Sequence, residues 1–380
     1  MKLKNSSILL LLASNLVIAG YAQNRNHTLV GAIRWEGWAD DPKWGNNLKP
    51  EEWHYRLPFY ANVSDGKFEV RSDNQAVMDR EIKFASAAGL DYWAFDYSDK
   101  EIREKKKIGI NLFLSSRYRN RINFAVVLLG ADKAEWPGEI DDLISLFKQP
   151  TYQKVLDGRP LVYWFYLEKL PEAFGSEQAA NEAIRHLRDE VVKAGLKSPY
   201  IVGMNPSDGA HTIDHLGLDA MSAYTMSGDS QTTERKEYPY SELARINRDY
   251  WNACKAAGED VVPIVNTGWD ARPRWWDTEL MKLYNGGERP YFTRATPAQI
   301  ADNLKDAIEW NKRNPTAAKA NAVIIYAWNE TDEGGWLVPT LSEGAARLDA
   351  IKRVIVEERR RAPSDSAQPA NYAAESTHPD

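Results

Sequence analysis

The feature that most constrains the fold is a regular alternation of short apolar, β-rich runs with stretches of amphipathic helical period. Eight runs read as strands: Leu29 to Trp35, Asp91 to Tyr97, Asn123 to Leu129, Leu161 to Tyr166, Tyr200 to Met204, Ala220 to Tyr224, Val261 to Asn266 and Ala322 to Trp328. Several show no polar alternation, Phe124 to Leu129 and Val323 to Tyr326 among them, as strands covered on both faces require. Between them lie amphipathic segments at Gln75 to Ala88, Glu139 to Phe147, Glu177 to Ala194, Tyr240 to Ala257 and Pro297 to Asn311. Thr296 can cap the last of these, and Pro297 occupies its first turn, where a missing N–H does no harm. Such βαβ alternation dictates a parallel sheet, and eight strands favour an α/β fold closed into a (β/α)8 TIM barrel, one domain, over an open doubly wound sheet. The stretch between Met204 and Ala220 leaves room for a single helical turn, so one barrel helix is expected to be missing or degenerate.

Composition narrows the class. With 43% hydrophobic and 27% charged residues the chain can bury a large core, and a net charge of -6 without a basic stripe speaks against nucleic acid as partner. Lys2 and Lys4 precede the apolar run Ile8 to Ala19, and Gly20-Tyr21-Ala22 offers the small residues of a cleavage site, so residues 1–22 read as a signal peptide. The expected location is periplasmic or secreted, with no membrane insertion once the signal is removed. Cys254 is the only cysteine, which leaves no internal disulfide and no cysteine-rich zinc site. Residues 23–358 are expected to form the catalytic barrel, as a monomer without cofactor or metal, and residues 359–380 a disordered tail.

In this fold the active site gathers at the C-terminal strand ends. There the sequence places Trp35, Glu36, Asp96, Glu168, Asn205, Tyr224, Trp269, Asp270, Asn329, Glu330, Asp332, Glu333 and Trp336, with His54 in the long loop Glu36 to Asn74. Polar residues accumulate at loop starts in any soluble protein, but three acids and two Trp directly after the last strand, Trp328 to Trp336, are a concentrated signal. Two carboxyls three residues apart repel, which raises the proton affinity of one and sets an acid beside a base, facing a groove that admits a saccharide. Arg272 and Arg274 could clamp an acidic sugar, or pair structurally. His211 and His215 have metal spacing, yet their short glycine-flanked segment reads as a packed loop.

The motif Asn329-Glu330-x-x-Glu333-Gly334 resembles that of glycoside hydrolase family 99 and its WbsX-like relatives, whose best-known members are endo-α-mannosidases. The loop Gly268-Trp269-Asp270-x-Arg272-Pro273-Arg274 and the strand Gly89 to Tyr97 are similar to theirs, so the resemblance covers about residues 30 to 345 in patches. It implies that Glu330 acts as base on the sugar's own 2-hydroxyl and that Glu333 protonates the leaving oxygen. Thr331 and Asp332 replace an aromatic and a histidine of the mannosidase pattern, which bears on the sugar more than on the reaction. The expected function is therefore a glycoside hydrolase acting on an extracellular polysaccharide or oligosaccharide. A carbohydrate-binding barrel without activity and an accessory role in polysaccharide biosynthesis are the alternatives.

Overall fold

The computed structural model describes residues 27–40, 42–64, 66–97, 100–206, 208–227, 237–274 and 290–361. The expected signal segment and the chain beyond Arg361 lie outside the described residues. At the centre run eight parallel strands: β1 (Leu29–Arg34), β2 (Tyr92–Tyr97), β3 (Asn123–Leu128), β4 (Arg159–Trp164), β5 (Tyr200–Met204), β6 (Ala220–Ser222), β7 (Ile264–Asn266) and β8 (Ala322–Tyr326). They pair in the order β7-β8-β1-β2-β3-β4-β5-β6. A parallel bridge from Met221 to Val261 ties β6 to the segment that leads into β7, so the barrel is nearly closed. The (β/α)8 architecture expected from the alternating runs is the one observed.

Each strand is followed by a helix: α1 (Gln75–Ala88), α2 (Lys100–Ser115), α3 (Trp136–Phe147), α4 (Glu177–Lys193), α5 (Gly209–Leu216), α6 (Tyr240–Ala256), α7 (Pro297–Arg313) and α8 (Ala346–Arg361). Capping explains several boundaries. Asn74 accepts from the Ala76 N–H to start α1, and Thr296 with Gln299 forms a reciprocal capping box on α7. The segment after β5, expected to hold one turn at most, contains the eight-residue α5, so no barrel helix is missing among the described residues. The expected disordered tail also needs correction at its start. Arg359 to Arg361 complete α8, and Arg359 donates to the Gly89 carbonyl and to Asp91, both at 2.8 Å.

Strand ends moved for identifiable reasons. β4 stops at Trp164 because Tyr166 adopts a left-handed φ of 56° and turns the chain into the short helical piece Leu167–Lys169. β7 is only three residues long, since Pro263 has no N–H for the ladder. Inside the barrel, the hydroxyls of Tyr92 and Tyr163 meet at 2.6 Å. Gly31 makes that filling possible, because a Cβ there would fall 2.1 Å from the Tyr92 ring.

The long loop after β1 is an organised cap. Its two 3-10 turns, Pro42–Leu48 and Glu51–Arg56, and a small hairpin pack a second apolar cluster of Trp35, Trp38, Leu48, Leu57 and Val70. Burial of that cluster fixes Asn47 and Arg56 beside the loop that follows β8.

Candidate active site

The loop after β8 is built as a miniature hairpin. Asn329–Glu330 pairs antiparallel with Gly335–Trp336, and Thr331–Glu333 forms a 3-10 turn between them. Gly334 ends the turn at φ 85°, a conformation that penalises any Cβ, and a Cβ there would also lie 2.7 Å from the Asp270 nitrogen. This close approach lets the Asp270 N–H donate to the Glu333 carbonyl at 2.6 Å, so the loops after β7 and β8 are joined backbone to backbone. Gly334→Ala is therefore expected to lose about 1–3 kcal/mol in urea denaturation through strain and displacement. Unchanged stability would contradict the close packing.

That hairpin brings three acids onto one guanidinium. Arg274 donates to Asp332 through Nε at 2.7 Å and Nη2 at 3.1 Å, ion-pairs with Glu333 through Nη1, and approaches Glu330 at 3.5 Å. Asn47 adds a 2.8 Å hydrogen bond to Asp332, and the Tyr326 hydroxyl donates to Glu333. Indole rings back the cation, with Arg274 lying 5.1 Å from the Trp35 centroid and 5.2 Å from that of Trp44. Beneath the hairpin, Arg56 ion-pairs with Asp270 and donates to the Asp270 carbonyl at 2.8 Å. Arg272 holds the same carboxylate by two bonds of 2.8 and 2.9 Å, which keeps Asp270 ionised below the ordinary carboxylate range against the cost of burial.

Glu330 differs from its neighbours. The Tyr224 hydroxyl donates to it at 2.6 Å and also meets Asp96 at 3.0 Å. A phenol has one proton, so both contacts are satisfied together only when one of the two carboxyls carries a proton itself. Burial raises the pKa of Glu330 well above the usual range, Glu333 and Asp96 add to the rise, and Arg274 and Tyr224 oppose it. Because its folded pKa lies above the unfolded one, Glu330 contributes stability in acid that is lost as pH rises through the folded value. Glu330→Gln, which mimics the protonated form, is expected to gain about 1 kcal/mol over the parent at neutral pH. The gain should shrink towards pH 4, and thermal unfolding across that range checks it; a parent that is the more stable at neutral pH would contradict the strained carboxyl.

Several expected site residues join this group: Glu330, Asp332, Glu333, Asp96, Tyr224, Arg274 and Trp35 surround one centre, while Asp270, Arg272, Trp269 and Trp336 flank it. Asn329 and Asn205 sit behind it as supports. The Asn329 amide exchanges bonds of 2.9 and 2.6 Å with the Trp35 backbone, and Asn205 pins the backbone of Tyr224 and Thr225 at 2.7 and 3.1 Å. Glu36, expected on the rim, instead turns outward between barrel and helices, where it pairs with Arg34 and abuts Gly109 of α2. Arg34 also binds Glu81 at 2.7 Å, which places that ion group on the opposite side of β1 from the cleft. His54 is likewise engaged within its own loop, stacked on Phe68 and bonded to the Lys49 carbonyl at 3.0 Å. Glu168 is exposed on the turn after β4. His211 and His215 are on α5 rather than in a packed loop, with exposed rings stacked at 3.7 Å.

The sequence reading missed Arg56, Asn47 and Tyr326, which clasp the acidic hairpin, and Tyr166, a 36% exposed ring whose pKa is raised by burial and by Asp96, Glu333 and Glu330. Its expectation of an open pair is also corrected: Glu330 is 3% and Glu333 7% exposed. An open cleft lies beside the pair and reaches Gly334.

Residues 125–351 match the family described as Glycosyltransferase WbsX. The chain belongs to the WbsX family. Among the relatives of this WbsX-family chain is the uncharacterized protein WxcX of Xanthomonas campestris pv. campestris strain B100, 27% identical over 225 residues. The counterpart in strain ATCC 33913 is 26% identical over 216 residues. Each match takes in 55% of this chain and 28% of the relative, so the WbsX-family chain spans less than a third of the relatives' length. Among solved structures, a glycoside hydrolase-like protein superposes with a TM-score of 0.62 at 14% identity, over 87% of this chain and 95% of that one. A GH99 endo-alpha-mannosidase from Bacteroides thetaiotaomicron does so at 0.57 and 12% identity, over 88% and 97%. At such identities these likenesses show the fold alone: this WbsX-family chain shares the (β/α)8 barrel of both structures.

Proposed function

We propose that this chain is a glycoside hydrolase that cleaves a glycan outside the cytoplasm, with Glu330 as base and Glu333 as acid. The observation that carries the reading is the pair of buried carboxyls on one hairpin at the C-terminal mouth of the barrel, both in contact with the Arg274 guanidinium. Raised proton affinity makes the ionised Glu330 a stronger base than an ordinary carboxylate, and the Tyr224 hydroxyl orients it by a hydrogen bond. Since both groups come from one loop, they act on the sugar from the same side. That suits attack by the substrate's 2-hydroxyl on C1, assisted by Glu330, while Glu333 delivers the proton to the leaving oxygen; water then opens the intermediate with retention.

The family's description favours one competing reading, transfer of the sugar to another saccharide during polysaccharide assembly. Incubating the chain with a polysaccharide panel in oxygen-18 water separates the two. Hydrolysis places the label at each new reducing end, whereas unlabelled, elongated products would establish transfer and overturn the hydrolase reading.

A further inference from the structure

Beside the acidic hairpin, on the side of Gly334, lies a cleft of about 230 Å³ whose walls include Arg56, Arg272, Arg294, Tyr55, Tyr291 and Trp336. That volume falls below the ~300–1,000 Å³ of drug-sized ligand sites, so it admits one sugar ring or its substituent. Its charge is unusual for a neutral-glycan site. Three guanidiniums line it against two acids, Asp270 and Glu237. Asp270 is fully engaged, both oxygens being held by Arg56 and Arg272, and Glu237 accepts from the Tyr291 hydroxyl at 3.0 Å.

Among the described residues, donor capacity remains on two of the arginines. Arg272 uses Nε and Nη2 on Asp270, and its Nη1 has no hydrogen-bond partner among the described residues. Arg294 pairs with Glu343 through Nη2, and its Nε and Nη1 have none among them either. Both groups lie against aromatic rings. The Arg272 guanidinium lies 3.6 Å from the Tyr291 centroid and 5.2 Å from that of Trp53, and Arg294 lies 4.6 Å from that of Tyr55. Stacking of this kind orients a planar fork before a ligand arrives, which reduces the entropy lost on binding.

We propose that this cleft is a subsite for a carboxylate-bearing sugar, a uronic acid unit of the substrate, held by Arg272 and Arg294. The inference rests on the glycan reading above and narrows it to an acidic glycan. A carboxylate suits two planar forks with N–H groups to spare, and the phenol and indole walls can take the sugar's C–H face. The subsite adjoins the backbone of the residue after Glu333, so the acidic unit would sit next to the ring being cleaved.

Calorimetric titration of the full chain with D-glucuronate, D-glucose and D-glucose 6-sulfate tests this without turnover. D-Glucuronate is expected to bind about tenfold more tightly than D-glucose, the effect of one charge-assisted contact. Arg272→Gln and Arg294→Gln should each remove that preference. Arg272→Gln also disturbs Asp270, so Arg294→Gln, at a 41% exposed side chain, keeps the test clear of folding. Equal binding of D-glucuronate and D-glucose, or a preference that survives both substitutions, overturns the subsite. Tighter binding of the sulfate overturns the assignment to a carboxylate. Since no bond is broken in these titrations, such results leave the hydrolase reading standing, and absent hydrolysis would leave the subsite standing.

Discussion

Glu333→Gln is expected to lower turnover by about 10²–10⁴-fold, the usual contribution of a positioned proton donor, while leaving the barrel folded. The amide keeps the shape of the side chain and can still meet Tyr326 and the neighbourhood of Arg274, so circular dichroism and the unfolding midpoint should remain near the parent's. Glu330→Gln should lose a comparable factor, because an amide cannot take a proton from a sugar hydroxyl. The two losses should not add. Acid and base serve one proton circuit, and removing either already disables it. Initial rates of reducing-end release from the responsive polysaccharide check these values. Parent-like rates in either variant would remove that residue from the chemistry.

Arg274→Met is expected to have the largest effect on stability, about 3–5 kcal/mol, since it leaves Glu330, Asp332 and Glu333 buried without their shared cation. Arg274→Lys should recover little, because an ammonium is a point charge and cannot reach acids spread around a planar fork. The pH dependence carries the sign of the cause. In the variant Glu330, whose pKa burial already raises, loses the cation that opposed the rise, so it is tolerated in acid and becomes costly as pH rises through its folded value. The deficit relative to the parent should therefore be largest near neutrality and shrink on acidification. A deficit that does not change with pH would point to lost packing against Trp35 and Trp44 instead.

Much of this architecture was legible in the residues themselves. Strands such as Phe124 to Leu128 announce themselves because burial on both faces leaves no polar alternation, and α7 because Thr296, Pro297 and Gln299 spell its first turn. Glu330 and Glu333 stood out because acids crowd directly after an apolar strand. What escaped notice depends on contacts distant in sequence. Arg56 and Asn47 reach the hairpin only because a second apolar cluster folds the first loop over it. Tyr326 looked like strand interior, and its hydroxyl becomes part of the site only through the turn that brings Glu333 back over it. Glu36 was misplaced for a related reason. Strand alternation says that neighbours point to opposite faces, but not which face residues take after the strand ends, and Arg34 draws Glu36 outward. The helix α2 was missed because Lys100 to Lys107 reads as a charged stretch with little apolar period.

The two carboxyls on one hairpin are expected to act from the same side of the sugar, through its 2-hydroxyl. Proton NMR of the first product released in deuterated buffer, before mutarotation, tests this most directly. The anomeric proton should show the configuration of the bond that was cut. A product formed with the opposite configuration would contradict the claim.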